Sequence, residues 1–266
     1  MTLQGKVAVV LGASAAGGTG WAVAEALAAE GARVVVAARR REPLEALALK
    51  IGGTAATCDA GKPEQVAALA RIAIETYGSI DIAVNLAARP LLGRIAETPL
   101  ASVQRSLDVN FLGHVSFVRE MSAAMNDGGS IVLFSSASAV QPVLPFFPYA
   151  CAKAATDCLV RYAALEYGAR GIRVNSIQPG PIRTDLSASL FATPGAEAAF
   201  AREIPLGRAG EPHEFAQVVV ALAGPGHITG VNLPVSGGMH LTRAPRETEL
   251  AGPHGSTSPR VTEQTA

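Results

Sequence analysis

Val7-Ala8-Val9-Val10-Leu11-Gly12-Ala13-Ser14-Ala15-Ala16-Gly17-Gly18-Thr19-Gly20 is the stretch whose reading decides the fold. Five apolar residues without polar alternation read as a strand buried on both faces. They run into a glycine-rich turn, and the alanine-rich segment 20–30 beyond it has a helical pattern. Glycines at such a turn let the chain reverse sharply and let backbone approach a pyrophosphate. The helix start adds unpaired N–H groups and the positive end of a dipole. A plain glycine-rich turn has the same composition, but the place between first strand and first helix favours a dinucleotide loop. Gly12, Ser14, Gly18, Thr19 and Gly20 are its candidate contacts.

Outward from this loop, β-branched runs alternate with helical stretches. Strands are expected at 33–38, 54–58, 80–85, 130–135, 172–177 and 231–235. Helices are expected at 43–50, 63–77, 100–125 with one break, 149–168 and 211–222. This is βαβαβ twice over, which predicts an α/β fold: a Rossmann-type doubly wound parallel sheet flanked by helices in a three-layer sandwich. Residues 1–242 read as one dinucleotide-binding domain. From Arg243 the composition turns to Pro, Thr, Glu, Gly and Ser, and 243–266 reads as a flexible tail.

Composition narrows the partners. The chain has 266 residues, 49% of them hydrophobic, and Lys plus Arg balance Asp plus Glu at 22 each. A near-zero net charge gives no electrostatic footprint for nucleic acid or an anionic membrane. No apolar run reaches the roughly 18 residues of a membrane span, and the opening residues lack the apolar core of a signal peptide. Cys151 and Cys158 lie seven residues apart on one expected helix, roughly 10 Å along its axis, too far for a disulfide. The pattern is that of a protein of the reducing cytoplasm, and no metal-ligand cluster stands out.

The second strand ends in Ala38-Arg39-Arg40-Arg41. No acidic residue waits there for the ribose diol of NAD. Arg39, assisted by Arg40 or Arg41, can instead meet a 2′-phosphate through paired N–H donors. A solvated helix start is the simpler account, yet helix N-termini disfavour cations, so NADP(H) is expected over NAD(H). Asp59 after the third strand reads either as an acceptor for the adenine amino group or as a cap before Pro63.

Tyr149-Ala150-Cys151-Ala152-Lys153 carries the chemistry. Positions i and i+4 share a helix face, so phenol and ammonium point the same way. A nearby cation is expected to pull the phenol from near 10 toward neutrality. Tyr149 can then exchange a proton with a carbinol oxygen. Ser136 lies just past the fifth strand, at the carboxyl edge where ligands gather, and its hydroxyl can orient a carbonyl. Asn110 reads either as an anchor for a proton-relay water near Lys153 or as a structural amide.

With these motifs in place, the chain resembles the classical short-chain dehydrogenase/reductase family from about Leu3 to Leu241. The matches are the glycine loop, Asp59, Asn85-Leu86-Ala87-Ala88, Asn110, Ser136, Tyr149, Lys153, Pro179-Gly180-Pro181-Ile182-Arg183-Thr184 and Ser236-Gly237-Gly238. The resemblance implies that Tyr149 is the general acid/base, Ser136 the carbonyl orienter, Lys153 the pKa modifier and ribose anchor, and Asn110 the water-relay anchor. It also implies that Asp59, Ala60, Asn85, Ala87, Pro179, Gly180, Ile182 and Thr184 line the cofactor, and that the protein is a homotetramer or homodimer. Two departures stand out. Leu86 replaces an asparagine that ties neighbouring strands. The loop interval Gly12-x5-Gly18 is two residues longer than usual, similar to divergent enoyl-thioester reductases, which space their Tyr and Lys more widely than here.

Ser138, Phe146, Phe147, Leu190 and Phe191 fall in segments expected to hold substrate, and they predict a mostly apolar pocket. The expected activity is carbonyl reduction or secondary alcohol oxidation on a small molecule. Alternatives are an enoyl-thioester, imine or 3-oxoacyl-thioester reductase, and a non-catalytic dinucleotide sensor. Segment 184–205 reads as a substrate lid broken at Thr193-Pro194-Gly195.

Overall fold

The computed structural model describes residues 3–250. Seven parallel strands form one sheet in the order β3-β2-β1-β4-β5-β6-β7. In chain order the elements are β1 (Val7–Leu11), α1 (Thr19–Ala29), β2 (Arg33–Ala38), α2 (Arg41–Ile51), β3 (Thr54–Thr57), α3 (Pro63–Tyr77) and β4 (Ile82–Asn85). There follow α4 (Leu100–Leu107), α5 (Gly113–Ala124), β5 (Ser130–Phe134), α6 (Phe147–Tyr167) and β6 (Arg173–Pro179). The chain continues through α7 (Asp185–Phe191), α8 (Ala196–Glu203), α9 (Pro212–Ala223), β7 (Asn232–Val235) and the short α10 (Glu247–Leu250). The strand order reverses between β1 and β4, where Leu11 pairs with Ala37 on one side and Asn85 on the other. That reversal opens a crevice beyond the strands' carboxyl ends.

The period-two alternation of strand side chains splits the core into two layers. Val9 and Leu11 point into one with Leu69, Phe117, Met121 and Val160, from α3, α5 and α6. Ala8 and Val10 point into the other with Val23, Leu27, Leu44, Leu47 and Val219, from α1, α2 and α9. The continuous apolar run of β1 thus follows from burial on both faces.

One expectation takes a definite form and one changes. The break in the long helical stretch 100–125 is a π-helical turn over Asp108–Leu112 between α4 and α5, and it contains Asn110. The composition change at Arg243 does not end the packed structure. Arg243 pairs with Glu203 at 2.6 Å and with Glu249 at 2.7 Å, Ala244 is buried, and Leu250 packs beside Phe200 and Met239. Ion pairs and one apolar contact hold a stretch whose composition alone resembles a linker. The remainder of the expected tail, 251–266, lies outside the described residues.

Candidate active site

The glycine loop opens at the end of β1. Gly12 has φ +103°, and a Cβ there would stand 2.7 Å from Ala87 N. A Cβ on Gly20 would fall on the Gly12 carbonyl oxygen. These two positions need glycine because α1 and the segment after β4 crowd the turn. Gly18 is the N-cap of α1, with no side chain capping the helix and no acidic residue in its first turn. The helix start therefore presents unspent N–H groups beside Thr19, a setting that fits a pyrophosphate.

Around this loop, at the same sheet edge, lie other residues expected from the sequence to line a cofactor. Arg39 and Arg40 are exposed at the end of β2. Arg40 donates to Ser14 at two points, Nε to Oγ at 3.3 Å and Nη2 to O at 2.9 Å. Asp59 does not cap α3, whose N-cap is Lys62. Its Oδ1 accepts from Gly61 N at 2.9 Å, and its N–H donates to Gln65 Oε1 at 2.8 Å. Buried Ala60 packs so tightly that a Cβ on Gly113 would meet its carbonyl oxygen at 2.6 Å. Asn85 Oδ1 accepts from Ala87 N at 2.9 Å, while its buried Nδ2 has no partner among the described residues. Leu86 N donates to Leu11 O at 2.8 Å, a main-chain link between the ends of β1 and β4 that does not depend on the side chain.

On the far side of the crevice, Pro179 ends β6 and Gly180 N donates to Val235 O at 3.1 Å. Ile182 bridges to Gly210. Thr184 is the N-cap of α7 and donates its N–H to Ser187 Oγ at 3.1 Å.

Ser136 and the Tyr149–Lys153 pair meet over the end of β5. Ser136 Oγ accepts from Ser138 N at 3.2 Å and Ser138 Oγ at 2.9 Å, and it hydrogen-bonds the Tyr149 phenol. Lys153 is fully buried. Its Nζ lies 5.6 Å from the centre of the Tyr149 ring and donates to Phe134 O at 2.7 Å. This geometry corrects the expected titration. Burial pushes the Tyr149 phenol up to about 12, against a smaller lowering by Ser136. Burial also draws Lys153 down to about 7, opposed by the Asp157 carboxylate one turn on. Desolvation outweighs mutual attraction because the ammonium is aimed at Phe134 O.

Asn110 spends its side chain on structure. Oδ1 accepts from Arg89 N at 3.0 Å, and Nδ2 donates to Arg89 O at 2.9 Å and Ser106 O at 3.0 Å. Its main-chain carbonyl accepts from Thr156 Oγ1 at 2.8 Å, and Oδ1 and this carbonyl each have two lone pairs.

The expected substrate residues divide. Phe146 meets Tyr149 edge-on at 6.4 Å, and Phe147 begins α6. Leu190 and Phe191 pack with Ala137, Phe200, Ile204 and Met239 in a small separate core. The break at Thr193-Pro194-Gly195 separates α7 from α8. Arg183, within the motif 179–184 matched above, reaches Glu197 at 2.5 Å and Glu211 at 3.1 Å. Sequence reasoning missed His114 and Asp157, both buried and both acting on Lys153. The available signals were a histidine on a helix face lined by Phe117, Val118 and Met121, and an aspartate four residues after Lys153.

Comparison with known proteins agrees with this geometry. Residues 12–240 match the family model described as enoyl-(acyl carrier protein) reductase. The chain is 38% identical over 251 residues to 3beta-hydroxysteroid dehydrogenase 1 of Eggerthella lenta, covering 90% of this chain and 95% of that protein. A short-chain type dehydrogenase/reductase from Mycobacterium ulcerans superposes with TM-score 0.87 at 29% identity, over 92% of this chain and 93% of its own. A variant of actinorhodin polyketide ketoreductase solved with NADPH superposes at 0.83 with 30% identity, over 90% of this chain and 99% of its own. The fold and the relatives define a nicotinamide-dependent oxidoreductase acting on a hydroxyl or carbonyl carbon. The chain belongs to the short-chain dehydrogenase/reductase family. Among the described residues, no helix is long and apolar enough to cross a membrane.

Proposed function

We propose that this protein is an NADP(H)-dependent reductase of a mostly apolar ketone, and in reverse a secondary alcohol dehydrogenase. The observation that carries this reading is the convergence of the Ser136 hydroxyl and the Tyr149 phenol over Lys153, beside a glycine loop that admits a pyrophosphate. When bound, the reduced nicotinamide supplies a hydride to the carbonyl carbon. Ser136 Oγ accepts two hydrogen bonds from Ser138, and its own hydrogen, directed at the Tyr149 phenol, can turn to a substrate oxygen. It can orient a carbonyl and steady the oxygen as charge develops there. Tyr149 gives that oxygen its proton. A phenol held near 12 keeps its proton throughout neutral pH, and transfer becomes downhill only as the oxygen turns into an alkoxide. The buried Lys153 stabilises the phenolate left behind, the interaction being stronger in a water-poor site.

Arg39, with Arg40 near it and no acidic residue at the end of β2, supports NADP(H) over NAD(H). Ser138, Phe146, Phe147, Leu190 and Phe191 supply an apolar setting, and the hydroxysteroid named for the Eggerthella relative has the same character. Residues 1–242 act as one cofactor-and-substrate domain with the later segment as an appendage. Exposed Leu100, Leu112, Tyr162 and Leu165 on the faces of α4–α6 support a homotetramer or homodimer. Unpaired Cys58, Cys151 and Cys158 fit a reducing cytoplasm.

A second reading is reduction of an enoyl thioester, favoured by the Gly12-x5-Gly18 interval and the description of the matching family model. The four-residue spacing of Tyr149 and Lys153 favours the carbonyl. Consumption of NADPH and NADH across ketones, enones and acyl thioesters tests the choice. Ketone-dependent NADPH oxidation is expected. Turnover of enoyl thioesters alone, or of nothing, overturns the proposal in favour of the second reading or of a dinucleotide sensor.

A further inference from the structure

One buried group beside the site has no part in the scheme above. His114 lies in the first turn of α5 and is fully buried. Its Nε2 stands 3.4 Å from Lys153 Nζ. Lys153 Nζ also donates to Phe134 O at 2.7 Å. An ammonium has three hydrogens and no lone pair. Two of them are met by fixed protein acceptors only if Nε2 carries the lone pair. The third is then left for the crevice and the Tyr149 side.

The electrostatic surroundings favour that state of the ring. Burial, and next the Lys153 charge, hold His114 well below the usual imidazole range, with the Ala87 carbonyl opposing. Lys153 is the charged group acting on His114. Asp157 acts on Lys153, and Arg161 and Lys153 act on Asp157. The ring's Nδ1 is buried and makes no close hydrogen bond among the described residues, and the Ala87 carbonyl is an acceptor that acts on the ring. A hydrogen on Nδ1 and a lone pair on Nε2 make the neutral tautomer that matches an ammonium donor.

We infer that His114 is a positioning residue for Lys153: its Nε2 accepts one ammonium hydrogen and, together with Phe134 O, fixes Nζ so that its remaining N–H faces the cofactor crevice. An apolar side chain at 114 would leave the buried ammonium with one protein acceptor, a costly loss for a desolvated charge. Glutamine retains a carbonyl oxygen that can take the place of Nε2. The effect on cofactor binding rests on the function proposed above, whereas the tautomer does not.

The test uses the full chain without cofactor, labelled with 15N-histidine, and reads the ring nitrogens by NMR from pH 5.5 to 8.5. His114→Gln assigns the resonances by their loss. The inference requires a neutral ring from pH 5.5 to 7, where Lys153 is an ammonium, with the proton on Nδ1 and none on Nε2. A proton on Nε2 in that interval, or an imidazolium at pH 7, overturns it. In a second arm, NADPH and NADH binding is followed by fluorescence for wild type, His114→Leu and His114→Gln, with thermal melts alongside. His114→Leu is expected to weaken reduced-cofactor binding about tenfold or more, and His114→Gln to stay within about threefold of wild type. Equal losses in both variants, or a loss in neither, overturn the positioning role. If His114→Leu does not fold, the tautomer and His114→Gln still decide. A wild type that binds neither nucleotide sinks the proposed function and leaves the tautomer result standing.

Discussion

Arg40 lies across Ser14, donating from Nε to the hydroxyl at 3.3 Å and from Nη2 to the carbonyl at 2.9 Å. The second strand is thereby clamped to the glycine loop, and two neighbouring arginines acquire different jobs. Arg40 is occupied in shaping the loop, and Arg39 is the residue the proposed function assigns to a 2′-phosphate.

The first prediction separates them. Arg39→Asp should move preference from NADP(H) toward NAD(H), because a carboxylate repels a phosphate and accepts from a ribose diol. Arg40→Ala should weaken both cofactors by a similar factor, since the clamp contributes to loop order rather than phosphate charge. Kd values for NADPH and NADH with each variant check this. A wild type that prefers NAD(H) refutes the assignment of Arg39.

Tyr149→Phe should lower kcat by about 10²–10⁴ while leaving cofactor affinity close to wild type, because only the proton donor is removed. Lys153→Ala should damage both quantities. Steady-state kinetics with the preferred ketone, paired with cofactor titration, measures the contrast. A Phe variant retaining more than about a tenth of wild-type kcat would remove Tyr149 from the proposed role.

Burial of Lys153 makes stability depend on pH. Its folded pKa is about 7 against 10.5 for the free side chain, so between these values the unfolded chain binds more protons. Unfolding free energy must then rise with pH, with the folded form penalised most below pH 7. His114 is also depressed, but its contribution rises only up to its unfolded value near 6.5. The urea midpoint of cofactor-free protein should therefore climb from pH 7 to 8.5, and Lys153→Met should flatten the climb. A flat wild-type profile over that interval contradicts the burial-driven shift.

Arg183 joins the segment after β6 to two elements, Glu197 on α8 and Glu211 before α9, and its guanidinium lies 5.7 Å from the centre of the Phe191 ring. These pairs are exposed and individually weak, which suits a latch that opens. Segment 184–205 is expected to exchange amides faster than the sheet without ligand and to gain protection with cofactor and ketone analogue together. Arg183→Met should speed exchange there without altering the sheet. Identical protection with and without ligands would make the segment a static wall.

The sequence by itself determined the parallel sheet, the place of the cofactor loop and the approach of Tyr149 to Lys153. Those features are local: an uninterrupted apolar strand, glycines before a helix, and residues four apart on one helix face. What it could not determine were properties summed over distant segments. The titration of Tyr149 reverses direction because desolvation from the whole crevice outweighs one neighbouring charge. Asn110 is spent on Arg89 and Ser106 because a π-helical turn brings it under the loop after β4. Arg243 pairs with Glu203, forty residues earlier, and Leu250 packs on a cluster that includes Ala137 and Phe200. Only the tertiary structure decided these, since each depends on groups brought together by folding that no local pattern of sequence places side by side.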